Sequence, residues 1–182
     1  KASEAVAASL GDRAAGNGAL MRTLPTALAY GPSVEQAIRI ARMTHPHPES
    51  DAAVVAYHTA VWALLQGASR AEAVEAGVSA SGPLAQRLSR VPNLRAEEVR
   101  STGYVVDTLE AAFWAFLHTD SLEECIVTAV GLGDDADTVG AVAGGLAGVH
   151  YGVLAVPRRW SAVLKGRAEL DAAAESLYAL RH

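Results

Sequence analysis

The chain has 182 residues, a formal net charge of −5 at pH 7 and 51% hydrophobic residues. This length predicts a single domain with a sizeable core, because no linker-like stretch divides the sequence. The acidic balance provides no basic face, so neither a nucleic acid nor a membrane is expected as a partner. The single cysteine, Cys125, excludes an internal disulfide, and the sequence shows no secretory signal; both observations favour a cytoplasmic protein.

Apolar residues recur at helical spacing through most of the chain. Segment 51–67 ends at a glycine and carries six side chains at three-to-four spacing: Val54, Val55, His58, Val61, Trp62 and Leu65. Ser69, followed by Glu72, has the capping-box pattern that begins a helix. Segments 103–120 and 121–133 predict two more helices, with Cys125 on an apolar face. No period-two alternation persists long enough for a strand, so the predicted fold class is all-α.

The stretch 139–156 contains no Asp, Glu, Lys or Arg, which makes it a candidate membrane span. Its glycines contribute little apolar area, and no second span exists to pack against it. The spacing of Gly140, Gly144 and Gly148 would let another helix approach closely, in lipid or in a helical soluble core. We expect a central buried helix of a soluble domain.

Three carboxylates precede this stretch in "GDDADTVG". One interpretation is N-capping by Asp134 or Asp137, because an unpaired helix N-terminus favours negative charge. The other is a cation site formed by Asp135, Asp137 and Thr138, whose hard oxygen ligands would suit Mg²⁺, Mn²⁺ or Ca²⁺. The residues alone leave both interpretations open.

Two more loops carry candidate ligand-binding residues. The backbone amides of Gly16, Asn17 and Gly18 could converge on an anion, although Gly-Asn-Gly is also an ordinary turn. His45 and His47 lie in the proline-broken loop "THPHP". His45 is a candidate for a hydrogen bond to a phosphate or ribose, whereas zinc lacks further ligands at suitable spacing.

These blocks, in this order, resemble the ADP-ribosylglycohydrolase family. The resemblance runs from "GNGALMRTLP" through "THPHPE" and "STGYVVDTLEAAFWAFLHTDSLEECIVTAV" to "GLGDDADTVGAVAGGLAGVHYG", which is nearly the whole chain. The last block is similar to the family's G-G-D-[TS]-D-[TS]-x-[GA] motif. Asp134 replaces the second glycine and Ala136 replaces a Thr or Ser. We expect Asp134 to point to solvent.

The resemblance implies a compact orthogonal multi-helix domain and a hydrolase that removes ADP-ribose from a modified acceptor by Mg²⁺-assisted cleavage of an N- or O-glycosidic bond. It implies a binuclear Mg²⁺ or Mn²⁺ centre, with Asp135, Asp137 and Thr138 among the metal ligands. It also implies that five residues contact ADP-ribose: Gly16, Asn17, Gly18, His45 and Tyr104. For Tyr104, a core or loop-anchoring role is an equal alternative.

One part of the family pattern does not occur in the sequence. Family members begin with an N-terminal portion that carries a G-D-x-x-G segment with an acidic residue and a T-D-D-T metal-binding segment. Residues 1–182 are therefore expected to form one helical domain, the C-terminal portion of such a fold. Of the remaining acids, Asp12, Asp51 and Asp107 are isolated in the sequence, and the pairs Glu97–Glu98 and Glu123–Glu124 are typical of solvated helix faces, so no catalytic residue is predicted.

Four alternatives stay open at this stage. The first is that the chain is a fragment of a longer enzyme, and the second is that it pairs with a separate N-terminal piece. The third is that it binds ADP-ribose without turnover, and the fourth is that it is a helical interaction domain whose acids only cap a helix. The acceptor of ADP-ribose and the oligomeric state are not identified by the residues.

Overall fold

The computed structural model describes residues 15–180. Ten α-helices occur in this range: α1 (Leu24–Tyr30), α2 (Glu35–Arg42), α3 (Pro48–Leu65), α4 (Arg70–Ala80), α5 (Ala85–Leu88), α6 (Val105–Leu117), α7 (Leu122–Gly131), α8 (Ala136–Tyr151), α9 (Arg158–Ser161) and α10 (Arg167–Ala179). Short 3-10 turns lie at Leu20–Arg22, Gly82–Leu84, Val91–Asn93, Ala96–Glu98 and Val153–Ala155. Residues 15–180 contain no strand, only an isolated antiparallel bridge between Gly16 and Tyr104. The predicted all-α fold class is confirmed.

Helices α3, α6 and α8 form the centre of the domain. Helix α3 packs against α1, α2, α4, α6 and α8. Every residue of α6 except Leu117 is buried. Of the six residues predicted on the apolar face of α3, Val54, His58 and Val61 are buried, whereas Val55, Trp62 and Leu65 are half-buried. Tyr57, Leu64 and the alanines Ala53, Ala56 and Ala60 are buried as well, because small alanines let neighbouring helices surround α3 on most sides.

The glycines of α8 let this helix approach α7 closely. A β-carbon on Gly140 would lie 2.8 Å from Val130 Cγ2, and one on Gly144 would lie 3.2 Å from Ile126 Cδ1. Both distances are shorter than an ordinary van der Waals contact. Gly148 faces no atom within 4 Å. The predicted close approach is thus seen at two of the three glycine positions.

Helix α8 is shorter than the charge-free stretch 139–156. It ends at Tyr151, because Gly152 adopts a positive φ of 78° that turns the chain out of the helix. In the part of the chain that the structure describes, no helix is long and apolar enough to cross a membrane.

Several local predictions are confirmed. Ser69 and Glu72 form the capping box, each side chain accepting a hydrogen bond from the other residue's N–H. Gly67 follows the end of α3 with a φ of 89°. Cys125 is fully buried on α7, and burial raises the pKa of its thiol to about 11. This cysteine is therefore a packing residue rather than a nucleophile.

Candidate functional site

Three loops meet where α6 and α8 begin: residues 15–19, 101–104 and 132–135. The N–H of Asn17 donates to Gly103 O at 2.9 Å, and the N–H of Asp135 donates to Ser101 O at 2.9 Å. The Ser101 hydroxyl donates to Gly133 O at 2.7 Å. Residues 101–104, called the docking loop below, therefore hold together two loops that are far apart in the sequence.

The side chain of Asn17 joins the first loop to the third. Its Nδ2 atom donates to Asp135 Oδ2 at 2.5 Å and to Thr108 Oγ1 at 2.8 Å. A carboxylate only accepts hydrogen bonds, so the amide nitrogen must face Asp135. Asn17 is buried, these two hydrogen bonds fix its rotamer, and its side-chain oxygen Oδ1 is the acceptor that it can offer a ligand. The sequence predicted backbone contacts from this loop and missed the bridging side chain.

Asp135 occupies the N-cap position of α8, but its side chain makes no cap hydrogen bond. It is turned towards Asn17 and towards Gly103, where a β-carbon would lie 3.5 Å from Asp135 Oδ2. Asp137 and Thr138 follow in the first turn, Asp137 exposed and Thr138 half-buried. Since neither Asp134 nor Asp137 is the N-cap, the capping interpretation of these two residues is wrong.

Asp134 is exposed, as expected from the resemblance. Its φ of 51° makes it the one non-glycine residue with positive φ between residues 15 and 180. A left-handed backbone conformation favours glycine, which explains why the family motif has glycine at this position.

His45 packs directly on the backbone of Gly18. A β-carbon at Gly18 would lie 2.5 Å from His45 Cε1, so only glycine allows this contact. Arg22 fixes the corner, because its Nε donates to Gly18 O at 2.8 Å and its terminal nitrogen donates to Thr44 Oγ1. Thr44 Oγ1 in turn lies 2.8 Å from His45 Nδ1. Burial, and then the nearby Arg22 charge, lowers the pKa of His45. A neutral imidazole next to the Asn17 loop is suited to hydrogen bonding.

His47 serves a different purpose. It is the N-cap residue of α3, and its Nδ1 accepts a hydrogen bond of 3.2 Å from the N–H of Glu49. His47 therefore orients the start of a central helix.

Tyr104 is the last residue of the docking loop and follows Ser101 and Gly103, whose carbonyl oxygens bind Asp135 and Asn17. It forms the backbone bridge to Gly16, and the Arg87 guanidinium lies 5.9 Å from its ring centroid. Burial raises the pKa of Tyr104 to about 12, with a further contribution from a hydrogen bond between its side chain and Glu49. These contacts anchor the docking loop to α3 and α5.

The structure also contains a charged cluster that the sequence did not predict, in which two buried acids contact a half-buried arginine. Arg87 pairs with Asp107 at 2.5 Å and with Glu110 at 2.9 Å. Both acids are 6% exposed, and Asp107, which is isolated in the sequence, has a charged partner in the structure. Two carboxylates three residues apart in an otherwise apolar helix were the sequence feature that could have indicated a cationic partner nearby.

The first turn of α8 offers Asp135, Asp137 and Thr138 as oxygen ligands for a cation. Carboxylate and hydroxyl oxygens are the ligands that Mg²⁺ prefers, and no helix N–H competes for the Asp135 side chain. Among residues 15–180, however, no group of three or more His, Cys, Asp and Glu side chains is placed to hold a metal. The three residues therefore fit such an ion in kind and would supply only part of its coordination shell.

A separate cleft of about 580 Å³ lies between α4 and the C-terminal end of α6. Val74, Val78 and Leu117 are among its lining residues, and none of the predicted site residues is. Helix α6 has 13 residues and rises about 1.5 Å per residue. The cleft at its C-terminal end is therefore roughly 20 Å from the three loops that meet at its N-terminal end.

Comparison with known proteins gives the same family along the whole chain. The profile of the ADP-ribosylglycohydrolase family matches residues 1–182. ADP-ribosylarginine hydrolase Tri1 of Serratia proteamaculans is 35% identical over 173 residues, which cover 90% of this chain and 46% of that protein. ADP-ribosyl-[dinitrogen reductase] glycohydrolase of Rhodospirillum rubrum is 37% identical over 164 residues, covering 86% of this chain and 53% of that protein.

A solved structure gives the same fold. It is described as an ADP-ribosylglycohydrolase-related protein complex and matches with a TM-score of 0.80 and 37% identity. The match covers 100% of this chain and 68% of that one. The chain thus spans about half the length of the two curated relatives above.

Proposed function

The chain belongs to the ADP-ribosylglycohydrolase family, and we propose that it supplies the ADP-ribose-binding part of a hydrolase that releases ADP-ribose from a modified acceptor. The observation that carries this proposal is the hydrogen bond between Asn17 and Asp135. It unites the first and last sequence blocks of the family resemblance in one place, although 118 residues separate them.

The surrounding residues have the chemistry that ADP-ribose requires. The neutral imidazole of His45 can donate a hydrogen bond to a phosphate oxygen, and the side-chain carbonyl oxygen of Asn17 can accept one from a ribose hydroxyl. Arg22 brings a positive charge to the Gly18 corner, where a diphosphate would be favoured. Of the backbone amides proposed to bind an anion, that of Asn17 already donates to Gly103, so Gly16 and Gly18 remain for that role.

An Mg²⁺ or Mn²⁺ ion at the N-terminus of α8 would be held by Asp135, Asp137 and Thr138. When bound, such an ion supplies Lewis-acid stabilisation of the oxygen atoms near the bond that breaks. The contribution of this chain is to position the Asp135 carboxylate, which Asn17 and the docking loop hold from two sides. We assign no residue of the chain to proton transfer.

ADP-ribosylated arginine is the first substrate to test, because the similar proteins of Serratia proteamaculans and Pseudomonas putida are named ADP-ribosylarginine hydrolases. A cytoplasmic location remains a prediction.

A second candidate is an ADP-ribose-binding module that does not turn over alone. It is favoured by the incomplete set of metal ligands within residues 15–180. In that case a separate segment would have to provide the missing acids before hydrolysis occurs.

Two measurements on the 182-residue chain separate these functions. Calorimetric titration with ADP-ribose, with and without Mg²⁺, tests binding, and we expect heat to be released with Mg²⁺ present. Release of ADP-ribose from ADP-ribosylated arginine tests turnover. Binding with turnover supports the hydrolase, binding without turnover supports the module, and no binding under either condition would overturn both.

A further inference from the structure

Thr102 links the centre of the docking loop to α6, in addition to the chain connection at Tyr104, which is the N-cap residue of that helix. Thr102 lies between Ser101 and Gly103, the two residues whose carbonyl oxygens accept the N–H groups of Asp135 and Asn17. Any movement of Thr102 would therefore displace both acceptors at once.

Thr102 makes three hydrogen bonds that fix its position. Its hydroxyl donates to Asp107 Oδ2 at 2.6 Å and accepts the N–H of Tyr104 at 3.2 Å. Its carbonyl oxygen accepts the Thr108 hydroxyl at 3.0 Å. The same Thr108 hydroxyl oxygen accepts a hydrogen bond from Asn17 Nδ2. The loop and the Asn17 side chain thus share their contacts on α6.

The partner of Thr102 is itself held in place by charge. Asp107 and Glu110 are buried and share one guanidinium, that of Arg87, so the cluster carries one more negative than positive charge. A buried carboxylate needs a donor for each oxygen, because an unsatisfied acceptor is costly. Arg87 serves Asp107 Oδ1, and the Thr102 hydroxyl serves Asp107 Oδ2.

We propose that Arg87, Asp107 and Thr102 are positioning residues that hold the docking loop, and through it Asn17 and Asp135, in the geometry that binds ADP-ribose. The ion pair fixes the Asp107 carboxylate, the carboxylate fixes Thr102, and Thr102 fixes the two flanking carbonyls. None of the three touches the ligand in this scheme. The ligand side of this inference rests on the proposed function, whereas the loop geometry does not.

Hydrogen exchange of the 182-residue chain measures the loop geometry without any ligand. Thr102→Val keeps the shape of the side chain and removes its hydroxyl. We expect the N–H groups of Asn17 and Asp135 to exchange at least about ten times faster in this variant, because local opening controls their exchange. Thr102→Ser, which restores a hydroxyl, should return the exchange rates towards those of the parent.

Val74→Ala is the matched control, because Val74 is buried in α4 and has no part in the hydrogen bonds of the docking loop. It should lower the melting temperature without selectively exposing these two amides. The proposal is overturned if Thr102→Val leaves both exchange rates unchanged, or if Val74→Ala raises them equally.

Titration with ADP-ribose in the presence of Mg²⁺ tests the consequence for binding. Thr102→Val and Asp107→Asn should each weaken affinity about tenfold, equivalent to about 1.4 kcal/mol, while Val74→Ala keeps the parental affinity. Equal affinity in all four proteins would refute the positioning role. If the parent does not bind ADP-ribose, the proposed function fails, and hydrogen exchange of Thr102→Val and Asp107→Asn still decides whether Thr102 and its carboxylate partner hold the loop.

Discussion

The hydroxyl group of Tyr57 occupies the space that a side chain at position 145 would need. Tyr57, in α3, donates a hydrogen bond to Val142 O of α8 at 3.0 Å and is 1% exposed. A β-carbon at Gly145 would collide with this hydroxyl oxygen. Glycine at this position therefore allows a buried hydrogen bond to join the two central helices.

Gly145→Ala is expected to destabilise the protein by about 2 kcal/mol, because overpacking outweighs the gain in helix propensity. Gly148→Ala is the matched control, since Gly148 lies in the same helix and faces no atom within 4 Å. The control should raise stability by up to about 1 kcal/mol. Urea unfolding of both variants measures the difference, and equal destabilisation would contradict the assigned clash.

Combining Gly145→Ala with Tyr57→Phe tests the pair directly. Tyr57 Cζ would lie 3.7 Å from the new β-carbon, which is an ordinary contact. Removing the hydroxyl should therefore relieve the collision, and the double variant should be more stable than the sum of the two single effects predicts. Strict additivity would show that Tyr57 and Gly145 do not interact.

Asp135→Asn and Asp137→Asn should each reduce stabilisation of the chain by Mg²⁺. A ligand that binds only the folded state raises the melting temperature, and weaker binding reduces that rise. The measurement is the melting temperature of parent and variants with and without Mg²⁺. Glu175→Gln is a suitable control, because Glu175 is exposed on α10. If parent and variants respond to Mg²⁺ identically, the metal-binding role of these residues is wrong.

His58 is expected to make the fold less stable in mild acid. It is fully buried in α3, with Nε2 lying 2.7 Å from Gly31 O, and burial lowers its pKa below 6.5. The unfolded chain therefore takes up a proton at a higher pH than the folded chain. Stability is fully present above about pH 6.5 and falls as the pH drops towards the folded-state pKa, by at most about 1.4 kcal/mol per pH unit.

The comparison is between the parent and His58→Gln, whose amide can still donate to Gly31 O. Urea unfolding at pH 7, 6 and 5 should give a flatter pH dependence for the variant. His45 and His150, whose pKa values are also lowered by burial, leave some slope in both proteins. Parallel curves would mean that His58 does not contribute.

Asp134→Gly should increase stability by about 0.5–1 kcal/mol. A left-handed conformation costs an L-residue roughly 1–2 kcal/mol, and the greater freedom of glycine in the unfolded chain offsets part of the gain. Asp134→Asn removes the charge and keeps a side chain, so it separates the backbone effect from charge repulsion among the neighbouring acids. The midpoint of urea unfolding is the measurement, and an equal gain in both variants would assign the effect to charge.

Much of the fold could be predicted from local patterns. The capping box of Ser69, the termination at Gly67 and the close approach at Gly140 depend on neighbouring residues or on one helix face. Periodicity was less informative for α3, because its alanines were not counted among the apolar residues of the stripe, although several of them are buried. A helix that is surrounded on most sides has no single apolar stripe to detect.

The family motif led to candidate residues that lie close together in the structure, whereas contacts between side chains of distant segments were not predicted. Asp135 and His45 were predicted, and both lie next to the Asn17 loop. The pairing of Arg87 with Asp107 was missed, because the segment before α6 is made of short turns without periodicity. The bond from Asn17 to Asp135 crosses 118 residues, and no local rule specifies such a partner.

This long separation has a consequence for the order of folding. Closing a chain segment of 118 residues carries an entropic cost that only the completed helical core can offset, and contacts of this kind form slowly. The pairs α3–α4 and α7–α8 can form between helices that are adjacent in the sequence, whereas the site requires both ends of the 118-residue segment to be in place. Binding of the proposed ligand would then require a fully folded chain. A partly folded chain would not bind it, even with most of its helices formed.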